Sequence, residues 1–303
     1  MIFKRGLGRL IQCIALLVLL SGCATQASND AWYRSGRYAV QFIGLISAKA
    51  HEVVPIQLTF IDVGEPRRSS EIQFNHLTLL SDKGELSTES VTLTPSPATT
   101  NYRFFSVLAM LDGLEPGVYR FSQVRYVDAQ QREQTLSVGD WELSILDLPT
   151  APLKIGSHSV LTVGKPERFE VELINPTDQS IRVFDSTINS STYPLSASLH
   201  LAQHGAVALQ PVLGDARPQP IQPLASATIE LQPQQTQTIF FQLHGIEQLP
   251  TEFLVIQPLL SYQQAQNPRQ QFILPLQVFS PPFLDDGAVL KYLDFLPVGA
   301  FHE

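Results

Sequence analysis

Short apolar stretches separated by turn signals run through most of the chain. Between residues 38 and 146, apolar positions alternate with polar ones or cluster in short runs bounded by Asp, Gly and Pro. A period of two is the pattern of a half-buried β-strand. Seven strands are therefore predicted here: Tyr38–Ile46, Val53–Ile61, Ile72–Leu80, Leu86–Leu93, Tyr102–Leu111, Val118–Val127 and Thr135–Leu146.

The turns between these runs have the chemistry that β-hairpins need. Asp82-Lys83-Gly84 and Glu115-Pro116-Gly117 both place Gly where backbone freedom is useful. No stretch of this region repeats with a helical period. Seven short strands in roughly 110 residues fit an immunoglobulin-like β-sandwich.

A second group of strands follows a linker at 148–152. Phe169–Leu173 alternates cleanly, as does Thr238–Leu243, and two further runs complete the set at Phe253–Leu260 and Phe272–Phe279. Gly164-Lys165-Pro166, a strand, and Asn175-Pro176-Thr177 together resemble the opening of many bacterial immunoglobulin-like domains. The predicted fold is all-β, with two immunoglobulin-like sandwiches in tandem at 37–147 and 153–282.

The tail at 283–303 is unusually apolar for a terminus. Ala288–Leu296 is predicted to form a short helix, with Val289, Leu293 and Leu296 on one face. Three alternatives stay open: the tail packs back on the second sandwich and covers a sheet edge, docks on a partner, or touches a membrane peripherally. The candidate docking residues are Val289, Leu290, Leu293, Phe295 and Leu296.

The N-terminus has the pattern of an export signal. Lys4, Arg5 and Arg9 precede the apolar run Leu10–Leu20, which is too short to span roughly 30 Å of hydrocarbon. Leu20-Ser21-Gly22-Cys23 then resembles the lipobox of bacterial lipoproteins. Trp32 and Tyr33 in the following segment either begin the first strand or lie at lipid headgroups.

The lipobox resemblance implies a cleaved and acylated protein. Residues 1–22 would be removed as a signal peptide, and Cys23 would receive a diacylglycerol and an N-acyl chain at the head of a tether, 23–36. These acyl chains make the membrane a partner. In Gram-negative lipoproteins, a residue such as Ala24 after the cysteine implies the outer membrane, here facing the periplasm. Cys13 would leave with the signal, so no disulfide is expected.

Composition narrows the classes of partner. The chain has 28 acidic and 20 basic residues and a net charge of −8. Loss of the three signal-peptide cations would make that −11. An acidic chain without a cluster of Lys and Arg is a poor nucleic-acid binder.

The search for chemistry yields no catalytic constellation. The sequence has no Gly-x-Ser-x-Gly elbow, and the mature chain would have no thiol. His51-Glu52 begins like a zinc-protease motif, but Pro55 stands in place of the second His. His200 and His204 are most simply loop histidines, and Asp285-Asp286 has too few oxygens for calcium. We therefore expect no enzyme activity, no metal and no cofactor.

Three functions remain open at this level. The leading hypothesis is a non-enzymatic envelope lipoprotein that acts in protein–protein assembly with another envelope protein. The alternative is binding of glycan or peptidoglycan on an exposed platform around Trp141. A protease inhibitor or hydrolase that uses the Pro- and Gln-rich loop at 205–225 is a third hypothesis.

Overall fold

The computed structural model describes residues 36–64, 77–96, 99, 101–127, 131–158, 160–164, 167–201, 228–281, 286–294, 296 and 301–302. Most of these residues form β-strands. The others include a nine-residue helix, α1 (Asp286–Asp294), and a 3-10 turn at Ile246–Gln248. The strands are β1 (Gly36–Ala39), β2 (Phe42–Lys49), β3 (Val54–Val63), β4 (Leu77–Ser81), β5 (Gly84–Ser87), β6 (Ser90–Pro95), β7 (Tyr102–Leu111), β8 (Gly117–Val127), β9 (Glu133–Leu146), β10 (Lys154–His158), β11 (Leu161–Val163), β12 (Arg168–Ile174), β13 (Ile181–Thr187), β14 (Ser196–Leu201), β15 (Ile229–Leu231), β16 (Thr236–His244), β17 (Leu254–Gln257), β18 (Leu259–Gln264), β19 (Gln270–Ile273), β20 (Gln277–Ser280) and β21 (Phe301–His302).

These strands form three sheets, which confirms the all-β sandwich class. The first sheet has five strands in the order β21-β1-β3-β7-β6. The central sheet has eight, in the order β11-β20-β17-β2-β9-β8-β4-β5. The third follows the order β10-β12-β16-β14-β13-β18-β19, with β15 paired to β13.

The central sheet contributes to both hydrophobic cores. Along β2, Phe42 and Ile46 belong to the first core, whereas Ile43 and Leu45 belong to the second. β17 alternates in the same way, because Val255 packs into the first core and its neighbours on either side into the second. Successive side chains of a strand point to opposite faces, so both faces of this part of the sheet are covered.

Burial on both faces explains the sequence of β2, which is apolar almost without interruption. Strands covered on both sides have continuous hydrophobic runs and often pair in parallel. β2 is parallel to β9 on one side and to β17 on the other. Ile43 lies opposite Asp140 in the first pairing and opposite Leu254 in the second.

Several predicted runs are two strands rather than one. The chain leaves the first sheet at Val40 and enters the central sheet at Phe42, which divides the predicted run Tyr38–Ile46. Pro258 separates β17 from β18, and Pro275 lies between β19 and β20. A proline cannot donate to a strand ladder, so it suits these points where the chain changes sheet.

The predicted linker lies where it was expected but does not separate two independent sheets. Residues 147–153 are outside strands and follow β9. Beyond them, however, β17, β20 and β11 return to the central sheet and join it beside β2. The two sandwiches therefore share a sheet, which the sequence analysis did not anticipate.

Candidate functional site

The predicted lipidation site is outside the described part of the chain. Leu20, Ser21, Gly22 and Cys23 precede residue 36, as do Trp32 and Tyr33. Within the described residues, no helix is long and apolar enough to cross a membrane. The lipobox therefore remains a prediction from sequence.

The C-terminal segment folds back on its own chain. Val289 is fully buried and Leu293 is 9% exposed, both in the first core, and Leu296 packs partly buried against it. One prediction was that the tail packs on the second sandwich. That prediction is wrong, because α1 packs into the first core. Side chains that are buried in this way are not available to a partner. Phe295 and the side chain of Leu290 lie outside the described residues.

Tyr292 fixes α1 to the central sheet. Its hydroxyl oxygen accepts a 2.8 Å hydrogen bond from the backbone N–H of Gln41, and its ring lies 4.9 Å from the Phe253 ring. Burial raises the pKa of Tyr292, although the Gln41 bond acts in the opposite direction. Farther along the chain, β21 pairs with β1, so that His302 lies opposite Arg37.

The candidate glycan platform is wrong, because Trp141 is a core residue. Its side chain is 2% exposed and stacks on Phe121 with ring centroids 5.6 Å apart. The indole N–H donates to the Val138 carbonyl at 3.1 Å. A sugar stacks only on an exposed ring, so Trp141 cannot provide such a surface in this fold.

The interpretation of His200 as a loop histidine is wrong, because His200 lies within β14. His204 lies outside the described residues, and His200 instead approaches His244 across neighbouring strands β14 and β16. The Ser198 hydroxyl lies 3.1 Å from His200 Nε2 and 2.8 Å from His244 Nε2. A hydroxyl has one proton, so it donates to one ring and accepts from the other.

Ser198 links the two imidazole rings by hydrogen bonds. His200 is 4% exposed, and burial followed by repulsion from His244 lowers its pKa. In the described ranges, no three His, Cys, Asp or Glu side chains come together to hold a metal ion.

A polar clasp joins the central sheet to the segment between β13 and β14. The Glu142 carboxylate is nearly buried and accepts hydrogen bonds from the Ser191 hydroxyl at 2.6 Å and the Ser191 N–H at 3.0 Å. Arg120 Nε donates to the same carboxylate at 3.1 Å. Close by, Tyr193 donates to Asp140 at 2.7 Å, and burial together with this bond raises the pKa of Tyr193.

Sequence reasoning missed the clasp because its members are scattered along the chain. Glu142 occupies a strand position that reads as an ordinary polar residue, and Ser191 belongs to a Ser-rich turn. The clasp holds the third sheet against the central one, so its role is structural. The burial that distinguishes Glu142 from other strand carboxylates is visible only in the structure.

A groove of about 410 Å³ opens on the described surface. It lies where β2 ends, between the 148–151 segment and β19. Val53 is one of its walls and is 42% exposed, which is unusual for a large apolar side chain in this fold. Its lining residues are Ala48, Lys49, Glu52, Val53, Pro55, Leu148, Pro149, Thr150, Ala151, Gln257, Gln271, Phe272 and Ile273.

The groove combines apolar and polar walls. Lys49 Nζ and Glu52 Oε1 lie 3.5 Å apart at the rim, so their charges largely offset each other. Val53, Pro55 and Phe272 supply apolar surface, and two glutamines supply neutral amides. Such a lining can contact both apolar and polar groups of a ligand.

Comparison with known proteins finds only distant structural similarity. No protein-family model matches the sequence, and no curated protein matches it. A protein of unknown function from Porphyromonas gingivalis W83 is 10% identical, with 79% of this chain and 96% of that chain covered and a TM-score of 0.24. Fibronectin(III)-like modules from Clostridium thermocellum are 8% identical over 81% of this chain and 94% of theirs, with a TM-score of 0.21. A three-Ig titin fragment is 13% identical over 82% of this chain and 66% of its own, also with a TM-score of 0.21.

Proposed function

We propose that the chain is a lipid-anchored bacterial envelope protein that acts without catalysis in protein–protein assembly. In a Gram-negative host it would face the periplasm from the outer membrane. The observation that carries this proposal is Leu20-Ser21-Gly22-Cys23, placed directly after a basic start and a short apolar run. Acyl chains on Cys23 would supply stable attachment, because two or more chains exceed the marginal binding of one.

The described body is consistent with a scaffold. Two cores share one sheet, a polar clasp ties the third sheet to it, and α1 closes the first core. A surface held in this way loses little conformational entropy when a partner binds. The groove beside Val53 is our preferred interface, since α1 has its apolar face occupied.

Glycan binding has lost its specific support, because Trp141 is buried. The third hypothesis, an inhibitor or hydrolase that uses the loop at 205–225, depends on residues outside the described ranges. Neither of these two hypotheses is supported by an observation in the described structure.

Acyl labelling tests the anchor directly. Cys23→Ser should abolish incorporation of radiolabelled palmitate and leave an unprocessed precursor, because the thiol is the acceptor. Cys13→Ser is the matched control and should label normally, since Cys13 lies within the signal. Normal labelling of the Cys23→Ser protein would overturn the lipoprotein proposal.

Crosslinking in the native envelope tests the assembly role. We expect the lipidated full chain to be recovered with specific polypeptides, and recovery to fall when Val53 is replaced by Glu. Leu201→Glu is the control, because Leu201 is similarly exposed, at 37%, on another part of the surface. A protein that crosslinks to no polypeptide, or a reproducible hydrolytic activity lost on one substitution, would contradict the proposal.

A further inference from the structure

Ser198, His200 and His244 lie on the same face of the third sheet. β14 and β16 are antiparallel neighbours, and Ser198 lies opposite Gln242. Side chains two positions apart along a strand share a face, and so do side chains directly opposite each other. Leu199, which lies between two members of the trio, packs into the second core. The three polar side chains therefore lie on the face that points away from this core.

The two imidazole rings direct one nitrogen each towards the same oxygen. His200 Nε2 lies 3.1 Å from Ser198 Oγ, and His244 Nε2 lies 2.8 Å from it. Around a metal ion with bonds of about 2.0–2.1 Å, adjacent ligand atoms lie roughly 2.8–3.4 Å apart. The hydroxyl oxygen therefore already has the spacing of a neighbouring ligand to both nitrogens.

The surroundings of the two rings allow a metal ion to reach them. His200 is 4% exposed, so packing restricts its ring, whereas His244 is exposed and opens the site to solvent. Nδ1 of His200 is buried and makes no hydrogen bond within the described structure. Because no described donor bonds to Nδ1, this ring can carry its proton there and offer the Nε2 lone pair to a metal.

We propose that His200 and His244, together with the hydroxyl of Ser198, bind a divalent transition-metal ion. Imidazole is a suitable ligand for Cu²⁺, Ni²⁺ and Zn²⁺, whereas Ca²⁺ and Mg²⁺ prefer carboxylate and carbonyl oxygens. Two imidazoles and one hydroxyl leave room for water, so the site is open, unlike a structural zinc site with four protein ligands. The expectation of no metal rested on local motifs, whereas these ligands come from two strands that lie far apart in the chain.

Copper binding by the full chain in detergent micelles tests the site. The protein is freed of metal with EDTA and dialysed, Cu²⁺ is titrated by calorimetry, and electron paramagnetic resonance identifies the ligand atoms. Cu²⁺ is the most sensitive probe, because it forms the most stable complexes of the divalent series. We expect one tightest site per chain, hyperfine splitting from two nitrogens, and displacement of the copper by excess Zn²⁺.

His244→Gln should weaken Cu²⁺ binding at least about tenfold, since loss of a group that merely orients a ligand already costs that much. The spectrum should also lose the splitting from one nitrogen. His244 is exposed, so this replacement leaves the second core intact. His51→Gln replaces an exposed histidine elsewhere and should bind like the wild type. Equal affinity of all three proteins, or a wild-type spectrum without two nitrogens, would overturn the site.

Ser198→Cys tests the position of the hydroxyl by a gain of affinity. A thiolate is a stronger ligand for these metals than a neutral hydroxyl, so the replacement should tighten Zn²⁺ binding. With Co²⁺ as the probe, Ser198→Cys should show a sulfur-to-metal charge-transfer band, and the control Ser198→Ala should not. Absence of the band from Ser198→Cys would show that position 198 does not face the metal and would overturn the proposed geometry.

Discussion

At the scale of single residues, Gly44 and Trp141 show how tightly the first core is packed. A Cβ built on Gly44 would lie 2.0 Å from Cε3 of the Trp141 ring. The two residues face each other across the parallel pairing of β2 and β9. The glycine is therefore required by the close approach of the indole.

Gly44→Ala should lower the free energy of unfolding by about 3 kcal/mol or more, because the indole is enclosed and cannot move aside. Chemical denaturation measures the loss. Gly156→Ala is the matched strand control, since its Cβ would meet only the flexible end of Glu172. Equal stability of the two variants would show that the core around Trp141 is loose.

Stability should fall when the pH drops below about 6.5, in part through His200. Burial lowers the pKa of His200 in the folded state, whereas in the unfolded chain this pKa is about 6.5. Below about pH 6.5 the unfolded chain therefore binds more protons than the folded protein. The stability held at neutral pH is therefore lost as the pH falls through that window. Melting temperatures at pH 7.5 and 5.5 measure it.

His200→Asn should flatten this dependence, because the titrating group is gone. His51→Asn is the control and should keep the wild-type slope, since His51 is exposed and its positive φ of 62° suits asparagine. Unchanged slopes in both variants would rule out His200 as a source of the acid sensitivity.

At the scale of elements, α1 is the helix whose packing partner could not be predicted from the sequence. Its helical face was predictable from the spacing of Val289 and Leu293, and the helix appears at Asp286–Asp294. The sheet against which α1 packs was not predictable, because an apolar helix face indicates that the face is buried but not which sheet buries it. In the first core, Val289 and Leu293 of α1 share a cluster with Val255 of β17 and Val278 of β20.

Val289→Asp should destabilise the protein by more than about 4 kcal/mol, because it buries an unpaired carboxylate in the first core. Thermal unfolding followed by circular dichroism provides the measurement. Lys291→Asp lies on the exposed side of the same helix and should stay within about 0.5 kcal/mol of the wild type. A mild effect of Val289→Asp would mean that α1 detaches readily.

Strand positions were largely predictable, whereas their partners were not. β7 has the predicted limits, Tyr102–Leu111, because its alternation and its flanking turns agree. The apolar run of β2 signalled full burial, yet a single strand cannot reveal that Leu254 is its neighbour. Local patterns fix which face is apolar, and long-range pairing depends on contacts that no local window contains.

The same limit applies to the candidate sites. Trp141 was ambiguous between platform and core, since an isolated tryptophan near a strand fits both. The groove beside Val53 could not be predicted, because its lining residues come from segments far apart in the chain. Cys23 is the reverse case: its motif is local, so sequence alone supports it and the fold adds nothing.

At the scale of the whole molecule, the shared sheet should make unfolding cooperative. β2 and β17 carry side chains into both cores, so neither core can open without disturbing the other. Calorimetry should give one transition, with a van't Hoff enthalpy close to the calorimetric value. Two independent sandwiches would melt in two steps, and observation of two steps would contradict the coupling.

Ile256→Ala offers a sharper form of this test. Ile256 is fully buried in the second core, on a strand that also serves the first. The single transition should move to lower temperature without splitting. Separation of a low-temperature step would locate a boundary between the two cores.

The parallel pairing of β2 with β17 also sets an order for biosynthesis. Ile43 is among the first residues of the body to be synthesised, and its partner Leu254 is among the last. In a nascent chain, the edge of β2 that pairs with β17 therefore stays unpaired until most of the protein has been synthesised. A truncated chain that ends before Leu254 would leave one edge of β2 without its partner strand. Chaperones and proteases should therefore recognise such truncated chains at β2.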